Sequence, residues 1–171
     1  MLDKQFAWMS FAIAMVASTP FAGGPSVAMA AGAIERGEYL ASIMDCTGCH
    51  TAGALAGAPN PELYLAGSDI GFQIPGLGVF YPPNLTPDVE TGLGKWSEDE
   101  IMLAVRGGLR PDGRELIPIM PWPSYSALTD EDAQALAAYM KSLPPMKFQA
   151  PGPFGEGETP TDPYLTVVVP E

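Results

Sequence analysis

Three stretches of the chain carry a helical period. Ile34, Leu40, Ile43 and Met44 can share one face of a helix over 34–44, with Glu35, Arg36 and Glu38 mostly off that face. Ile101, Leu103, Ala104 and Val105 predict a second helix that ends at about Arg106. Ser97 with Glu100 three residues on reads as its capping box, and Gly107 and Gly108 end it. A third helix starts at Thr129. Asp130, Glu131 and Asp132 fall in its first turn, where they complement the helix dipole. Its buried stripe is Ala133, Leu136, Ala137, Met140 and Leu143, and Pro144-Pro145 stops it. Between these elements, 51–87 and 109–128 are dense in glycine and proline and keep no period of 2 or 3.6. Long irregular loops are uncommon in compact domains and are usually functional. A large planar cofactor would give such loops something to pack on. The tail, 146–171, is acidic and rich in proline and glycine until Leu165-Thr166-Val167-Val168-Val169. That run suits a short strand laid on the domain, a partner contact or a loose end, and composition favours a mostly irregular tail.

The first thirty residues read as an export signal. Lys4 is a short positive start, Phe6 to Val16 is apolar apart from Ser10, and Ala28-Met29-Ala30 offers small residues for cleavage after Ala30. A membrane span needs roughly 20 apolar residues, and Pro20, Gly23, Gly24 and Pro25 interrupt this one too early. The expected organisation is a cleaved signal peptide at 1–30, one domain at 31–146 and an acidic extension at 147–171. The expected location is the periplasm, with no membrane span in the mature chain. The net charge of −12 is unchanged by cleavage, because one acid and one base leave together. Such a charge argues against nucleic acid and anionic membrane surfaces and favours a partner with a basic docking face.

Chemistry enters at Cys46-Thr47-Gly48-Cys49-His50. The pattern C-x-x-C-H is the attachment motif of haem c. Residues three apart lie on one side of a helical turn, so both thiols can reach the two vinyl groups along one edge of a porphyrin and form thioethers. His50 is then placed beneath the iron. A redox dithiol would need a strand before and a long helix after the motif. A zinc site would need about four Cys or His ligands, and the chain has two cysteines and one histidine. A disulfide across the motif would leave His50 without a purpose. The reading is one covalent haem c.

The second iron ligand follows by elimination. No second histidine exists, and methionine is the usual electron-transfer alternative. Met9, Met15 and Met29 leave with the signal, and Met44 is too near the motif to reach the opposite face. Met102 and Met140 sit at helical positions suited to core filling, and Met146 follows the proline stop. Met120 lies in Ile117-Pro118-Ile119-Met120-Pro121-Trp122-Pro123, where three prolines stiffen the loop and lower the entropy cost of holding its sulfur in place. The expected metal ligands are His50 and Met120.

The order helix, C-x-x-C-H, loop, helix, methionine loop, helix resembles class I cytochromes c. Tyr81-Pro82-Pro83-Asn84-Leu85-Thr86-Pro87-Asp88, Glu90-Thr91-Gly92-Leu93-Gly94-Lys95-Trp96-Ser97 and Ala138-Tyr139-Met140-Lys141-Ser142-Leu143-Pro144 resemble, more narrowly, the haem modules in cytochrome subunits of periplasmic alcohol, aldehyde and gluconate dehydrogenases. The resemblance covers about 33–146. It implies an all-α cytochrome c fold, with few helices and long loops wrapped around the haem, in which first and last helices cross where Gly37 allows close approach to Tyr139. It also implies that Asn84, Trp96 and Arg106 lie around the haem and its propionates. Asn84 equally suits a turn beside its prolines, Trp96 a core position and Arg106 the cover of a helix end. Two buried propionates, which need charged partners, favour the haem role for Arg106. The resembled subunits carry three such modules and a membrane-binding C-terminus, whereas this chain has one module.

These readings point to an electron carrier rather than an enzyme: a periplasmic dehydrogenase as donor, and a cytochrome or terminal oxidase of the respiratory chain as acceptor. One rival is a dedicated subunit tethered to a single dehydrogenase by the 146–171 tail. The other is a haem enzyme or sensor with five-coordinate iron, in which Met120 is a bystander. The carbonyl that accepts the His50 Nδ1 proton is expected from the 57–67 loop.

Overall fold

A computed structural model describes residues 25–170. Most of the expected signal segment therefore lies outside the described residues. Helix α1 spans Pro25–Ile43 and runs through Ala30, the expected cleavage point. After it come a short α2 (Cys46–His50), α3 (Glu98–Gly107), a one-turn α4 (Trp122–Tyr125) and α5 (Asp130–Ser142). The three predicted helices are thus present, and α4 is an addition inside the loop expected at 109–128.

Local chemistry accounts for the helix ends. Ser97 Oγ accepts from the Glu100 amide, and the Glu100 carboxylate accepts from the Ser97 amide, closing the capping box of α3. Gly108 ends that helix in a left-handed conformation at φ 68°. A side chain there would also run into the Trp122 ring, with Cβ only 2.5 Å from its nearest atom. The end of α3 is therefore packed against the start of α4. Thr129 caps α5 by accepting from the Asp132 amide.

Helices α1 and α5 cross at a point where no side chain fits. A Cβ on Gly37 would lie 2.1 Å from the Ala135 carbonyl oxygen and 2.6 Å from Tyr139 Cβ. Beside the crossing, Arg36 donates to both carboxylate oxygens of Asp132 at 2.8 and 3.0 Å. The main core gathers Leu40 and Ala41 of α1, Ile101 and Val105 of α3, and Leu136, Ala137, Tyr139 and Met140 of α5, with Leu65, Leu85 and Leu93 from the loops. Ile43, expected on the buried face of α1, is 59% exposed. Ile43 is the last residue of the helix, and the chain turns off two residues later at Asp45, in left-handed conformation at φ 55°.

The fold is not all-α. A four-stranded mixed sheet occupies the region expected to be irregular, in the order β3-β2-β1-β4. Strands β1 (Gly71–Ile74) and β2 (Gly78–Phe80) form an antiparallel hairpin with Phe72 opposite Phe80. The tail supplies both edges: β3 (Phe154–Gly155) pairs antiparallel with β2, and β4 (Tyr164–Leu165) pairs parallel with β1. A second, smaller cluster of Val79, Tyr81, Ala150, Phe148 and Phe154 cements this arrangement. Tyr81 stands edge-on to Phe154, with ring centroids 6.1 Å apart, and its hydroxyl donates to the Asp162 carbonyl at 2.7 Å. The physical reason for the failed expectation is length. Strands of four, three, two and two residues are too short to show alternation, and the edge pairings join segments far apart in sequence. Of the three roles open to the 165–169 run, Leu165 takes that of a strand, while Val167, Val168 and Val169 are exposed.

Candidate haem pocket

Helix α2 presents the attachment motif. Asp45 breaks the chain direction, and its carboxylate lies against Gly48, where a Cβ would make it swing aside. Cys46 and Cys49 are free thiols on one side of this single turn. Burial pushes the Cys46 thiol up to about 11, and burial also raises Cys49. Both are therefore protonated near neutral pH, unlike the exposed low-pKa thiolates of redox catalysts.

His50 is buried, and burial lowers its pKa, so the ring is neutral. Its Nδ1 lies 2.8 Å from the Pro83 carbonyl. A carbonyl can only accept, so Nδ1 carries the proton and Nε2 keeps its lone pair. The partner carbonyl, expected from 57–67, comes instead from the Pro82-Pro83 segment. The 65–68 strap locks that segment in place rather than touching the ring. Gly67 donates to the His50 carbonyl at 2.8 Å, Ser68 donates to the Pro82 carbonyl at 3.0 Å and Leu85 donates to the Leu65 carbonyl at 2.9 Å. Leu65, Ala66 and Ser68 are fully buried, and Gly67 holds φ 111° where a Cβ would crowd both Asn84 and Pro82.

Cys46, Cys49 and His50 open onto a cavity of about 720 Å³. That lies inside the range of roughly 300–1,000 Å³ typical of cofactor sites. Its lining is mainly apolar and comes from every part of the fold: Leu85 and Leu93 from the loops, Ile101 and Val105 from α3, Leu136 and Met140 from α5, and Phe72 and Phe80 from the hairpin. The tail contributes 149–153 to the wall. An apolar cavity that joins two thiols, a neutral imidazole with a free Nε2 and a methionine has the donor set and shape for a covalently held haem.

The remaining predicted residues are placed as follows. Met120 lines the cavity, as do Met44 and Met140, whereas Met102 does not. The Met120 loop is held by Met120 N–H donating to the Ile117 carbonyl at 3.1 Å and Trp122 N–H donating to the Met120 carbonyl at 2.7 Å. Trp122 Nε1 donates to the Leu116 carbonyl, and Tyr125 donates its hydroxyl to the Met44 carbonyl at 2.9 Å, which ties this loop to the end of α1. Trp96 lines the cavity, and its carbonyl is one of three that accept from Lys141 Nζ, with Leu93 and Gly94. Asn84 is buried behind the wall. Its Nδ2 donates to the Met146 carbonyl at 2.6 Å and to Thr91 Oγ1 at 3.0 Å, and its Oδ1 accepts from the Thr86 amide at 2.8 Å. It fastens the 84–91 loop to the tail. Arg106 lies outside the wall and pairs with Asp130. Two arginines outside the recognised motifs, Arg110 and Arg114, do line the cavity. The signal that could have found them is the turn sequence Arg110-Pro111-Asp112-Gly113-Arg114, which places its first and last residues side by side.

No helix among the described residues is long and apolar enough to cross a membrane. The cytochrome c family model matches residues 34–144. The chain is similar to the cytochrome c subunit of alcohol dehydrogenase (quinone) from Gluconobacter oxydans, 39% identical over 70% of this chain and 23% of that subunit. It is also similar to the fructose dehydrogenase cytochrome subunit of Gluconobacter japonicus, 38% identical over 71% of this chain and 24% of the relative. The gluconate 2-dehydrogenase cytochrome c subunit of Pantoea cypripedii is 42% identical over 62% and 22%. The chain thus spans about a quarter of the length of these curated relatives.

Proposed function

The chain belongs to the cytochrome c family, and from that premise we propose that it is an exported mono-haem electron carrier working beside a dehydrogenase. The carrying observation is the cavity itself, onto which both thiols of the motif and a neutral His50 with its Nε2 lone pair free converge. Haem c, when bound, supplies a one-electron Fe(III)/Fe(II) couple. Cys46 and Cys49 would hold it through thioethers, each thiol S–H adding across a vinyl group without an oxidant. His50 and Met120 would hold its iron. The Pro83 carbonyl fixes the imidazole tautomer and ring plane. The hairpin, the tail and the apolar faces of α3 and α5 line the cavity and would keep water from the bound group.

With His50 and Met120 both holding the iron, no place on it would be left for a substrate, so the chain would carry electrons rather than catalyse. The sequence of residues 1–30 supports export to the periplasm. The relatives named as dehydrogenase subunits support a dehydrogenase as donor; the acceptor would be a further cytochrome or an oxidase. Those relatives also favour a second reading, a dedicated subunit that stays bound to one dehydrogenase.

A redox titration of the purified protein with spectra at each potential tests the first reading. The expected result is one haem per chain, retained after acid–acetone extraction, and a methionine-to-iron charge-transfer band in the oxidised form. Extractable haem, or five-coordinate spectra without that band, would refute it. Co-purification with a dehydrogenase at high salt would favour the second reading.

A further inference from the structure

Resting on that haem reading, we infer that Arg110 and Arg114 form a two-guanidinium clamp for the haem propionates. The geometry begins with a tight turn. Leu109 and Glu115 form an antiparallel bridge, Arg110 N–H donates to the Arg114 carbonyl at 3.0 Å, and Gly113, at φ 79°, donates back to the Arg110 carbonyl at 2.9 Å. Asp112 Oδ1 accepts from the Arg114 amide at 3.1 Å and locks the turn. Residues paired across such a turn project to one face, and both arginines reach the cavity wall.

Charge makes the placement informative. The chain has 8 basic residues against 20 acidic ones, yet Lys95, Arg110 and Arg114 all line this cavity, against Asp45 and Glu90. Arg110 lies over the Trp96 ring at 5.1 Å, which fixes its plane, and its acidic partner is Asp112 at 3.3 Å. Arg114, at the rim, forms no side-chain ion pair among the described residues, and Asp112 is the acid that acts on it. The loss of water around it and the like charge of Arg110 lower its pKa from the ordinary value, against the opposing pull of Asp112. Glu90, an acid on the wall, is paired with Lys147. Two guanidiniums drawn together over a single carboxylate, which only Arg110 contacts through its side chain, suit a further anion. A macrocycle whose apolar body fills the cavity and whose edge bears two carboxylates supplies one, and guanidinium is the group suited to binding carboxylates in two-point fashion. Arg106, with Asp130 already on its guanidinium and no place on the wall, is not available for this.

The test is a potentiometric titration of the holoprotein between pH 5 and 8 for wild type, R110Q, R114Q, R114K and R106Q. The wild-type haem content and spectrum, read first, decide the haem reading independently. The clamp predicts that R110Q and R114Q keep covalent haem and the methionine band, lower the reduction potential, and acquire a pH-dependent potential as a carboxyl group begins to titrate in the range. R114K restores most of both. If R110Q does not mature, the R114Q and R114K pair decides alone. Wild-type potential and pH profile in both glutamine variants would overturn the clamp. So would a uniform lowering with no new pH dependence, or an equal shift in R106Q.

Discussion

Replacing Gly37 by alanine tests whether the α1–α5 crossing is as tight as its geometry requires. Two effects oppose each other. Alanine in place of glycine inside a helix favours the helix by roughly 0.8–1 kcal/mol. Against this, the new Cβ would sit 2.1 Å from a backbone oxygen, that of Ala135, and 2.6 Å from Tyr139 Cβ. Ordinary contact begins near 3.5 Å, so the helices must part by more than an ångström. Backbone cannot swing aside as the end of a side chain can. Parting also stretches the Arg36–Asp132 pair and thins the contacts of Leu40, Leu136 and Tyr139. Overpacking of this kind costs about 1–3 kcal/mol, and here both obstacles belong to the partner helix, so the upper end applies. The net expectation is a loss of about 2 kcal/mol after the helix gain is subtracted. In thermal terms that is about 4–8 °C, at roughly 2–4 °C per kcal/mol for a chain of this size. The assay is urea unfolding of the oxidised holoprotein followed by far-ultraviolet circular dichroism, with haem content matched between variants. Unchanged or higher stability would mean that the crossing relaxes freely, and it would refute the claim that glycine is required there.

The cavity presents three methionines, so Met120→Ala should abolish the methionine-to-iron band while Met44→Ala and Met140→Leu retain it. The potential of the Met120 variant should fall by on the order of 0.2 V, within the roughly 0.8 V that axial ligands span; loss of the band in the Met140 variant instead would move the ligand to α5. Asn84→Ala leaves the Thr86 amide without its buried partner and takes from the Met146 carbonyl the shorter of its two hydrogen bonds, leaving that from Thr86 Oγ1. At about 1–3 kcal/mol for an orphaned group, denaturation should show a loss of roughly 2 kcal/mol, and limited proteolysis should cut the tail first. A net charge of −12 should speed reduction by a cationic ruthenium ammine at low salt. Raising ionic strength from about 0.01 to about 0.5 M should slow it by about tenfold, the low end of steering effects; a rate that ignores salt would show that the acid lies away from the electron-exit face.

What was legible in the sequence was local. The capping box at Ser97–Glu100, the Thr129 cap and the stop at Gly108 each lie within four residues of their cause, and each is present as expected. The attachment motif is equally local, since its chemistry depends on the turn that holds it. The sheet was not legible, because β1 finds one of its partners in the tail and its own alternation spans four residues. The carbonyl that orients His50 escaped for a related reason, the nearer loop being the natural choice from spacing. Proline carbonyls accept like any other, and only the packing of the 65–68 strap brings Pro83 within 2.8 Å. Arg106 draws attention because it ends a helix, while the turn that carries Arg110 and Arg114 looks like a connection.

The tail changes meaning once its strands are seen. Read from composition, 146–171 is an acidic extension free to serve as a tether. In the fold, the Met146 carbonyl is held by Asn84, 149–153 wall the cavity, and β3 and β4 close the two sides of the hairpin whose Phe72 and Phe80 face the same space. Parts of the tail are thus tied to the domain, while Val167, Val168 and Val169, beyond Leu165, are its most exposed apolar side chains. The tether reading of this segment therefore splits in two. Deleting residues 166–171 should leave haem content, spectrum and potential unchanged and affect only association with a dehydrogenase. Deleting 147–171 should remove a wall, admit water and lower the potential, since water stabilises the more highly charged oxidised state. An unchanged potential after the longer deletion would show that the tail lies against the cavity without shielding it.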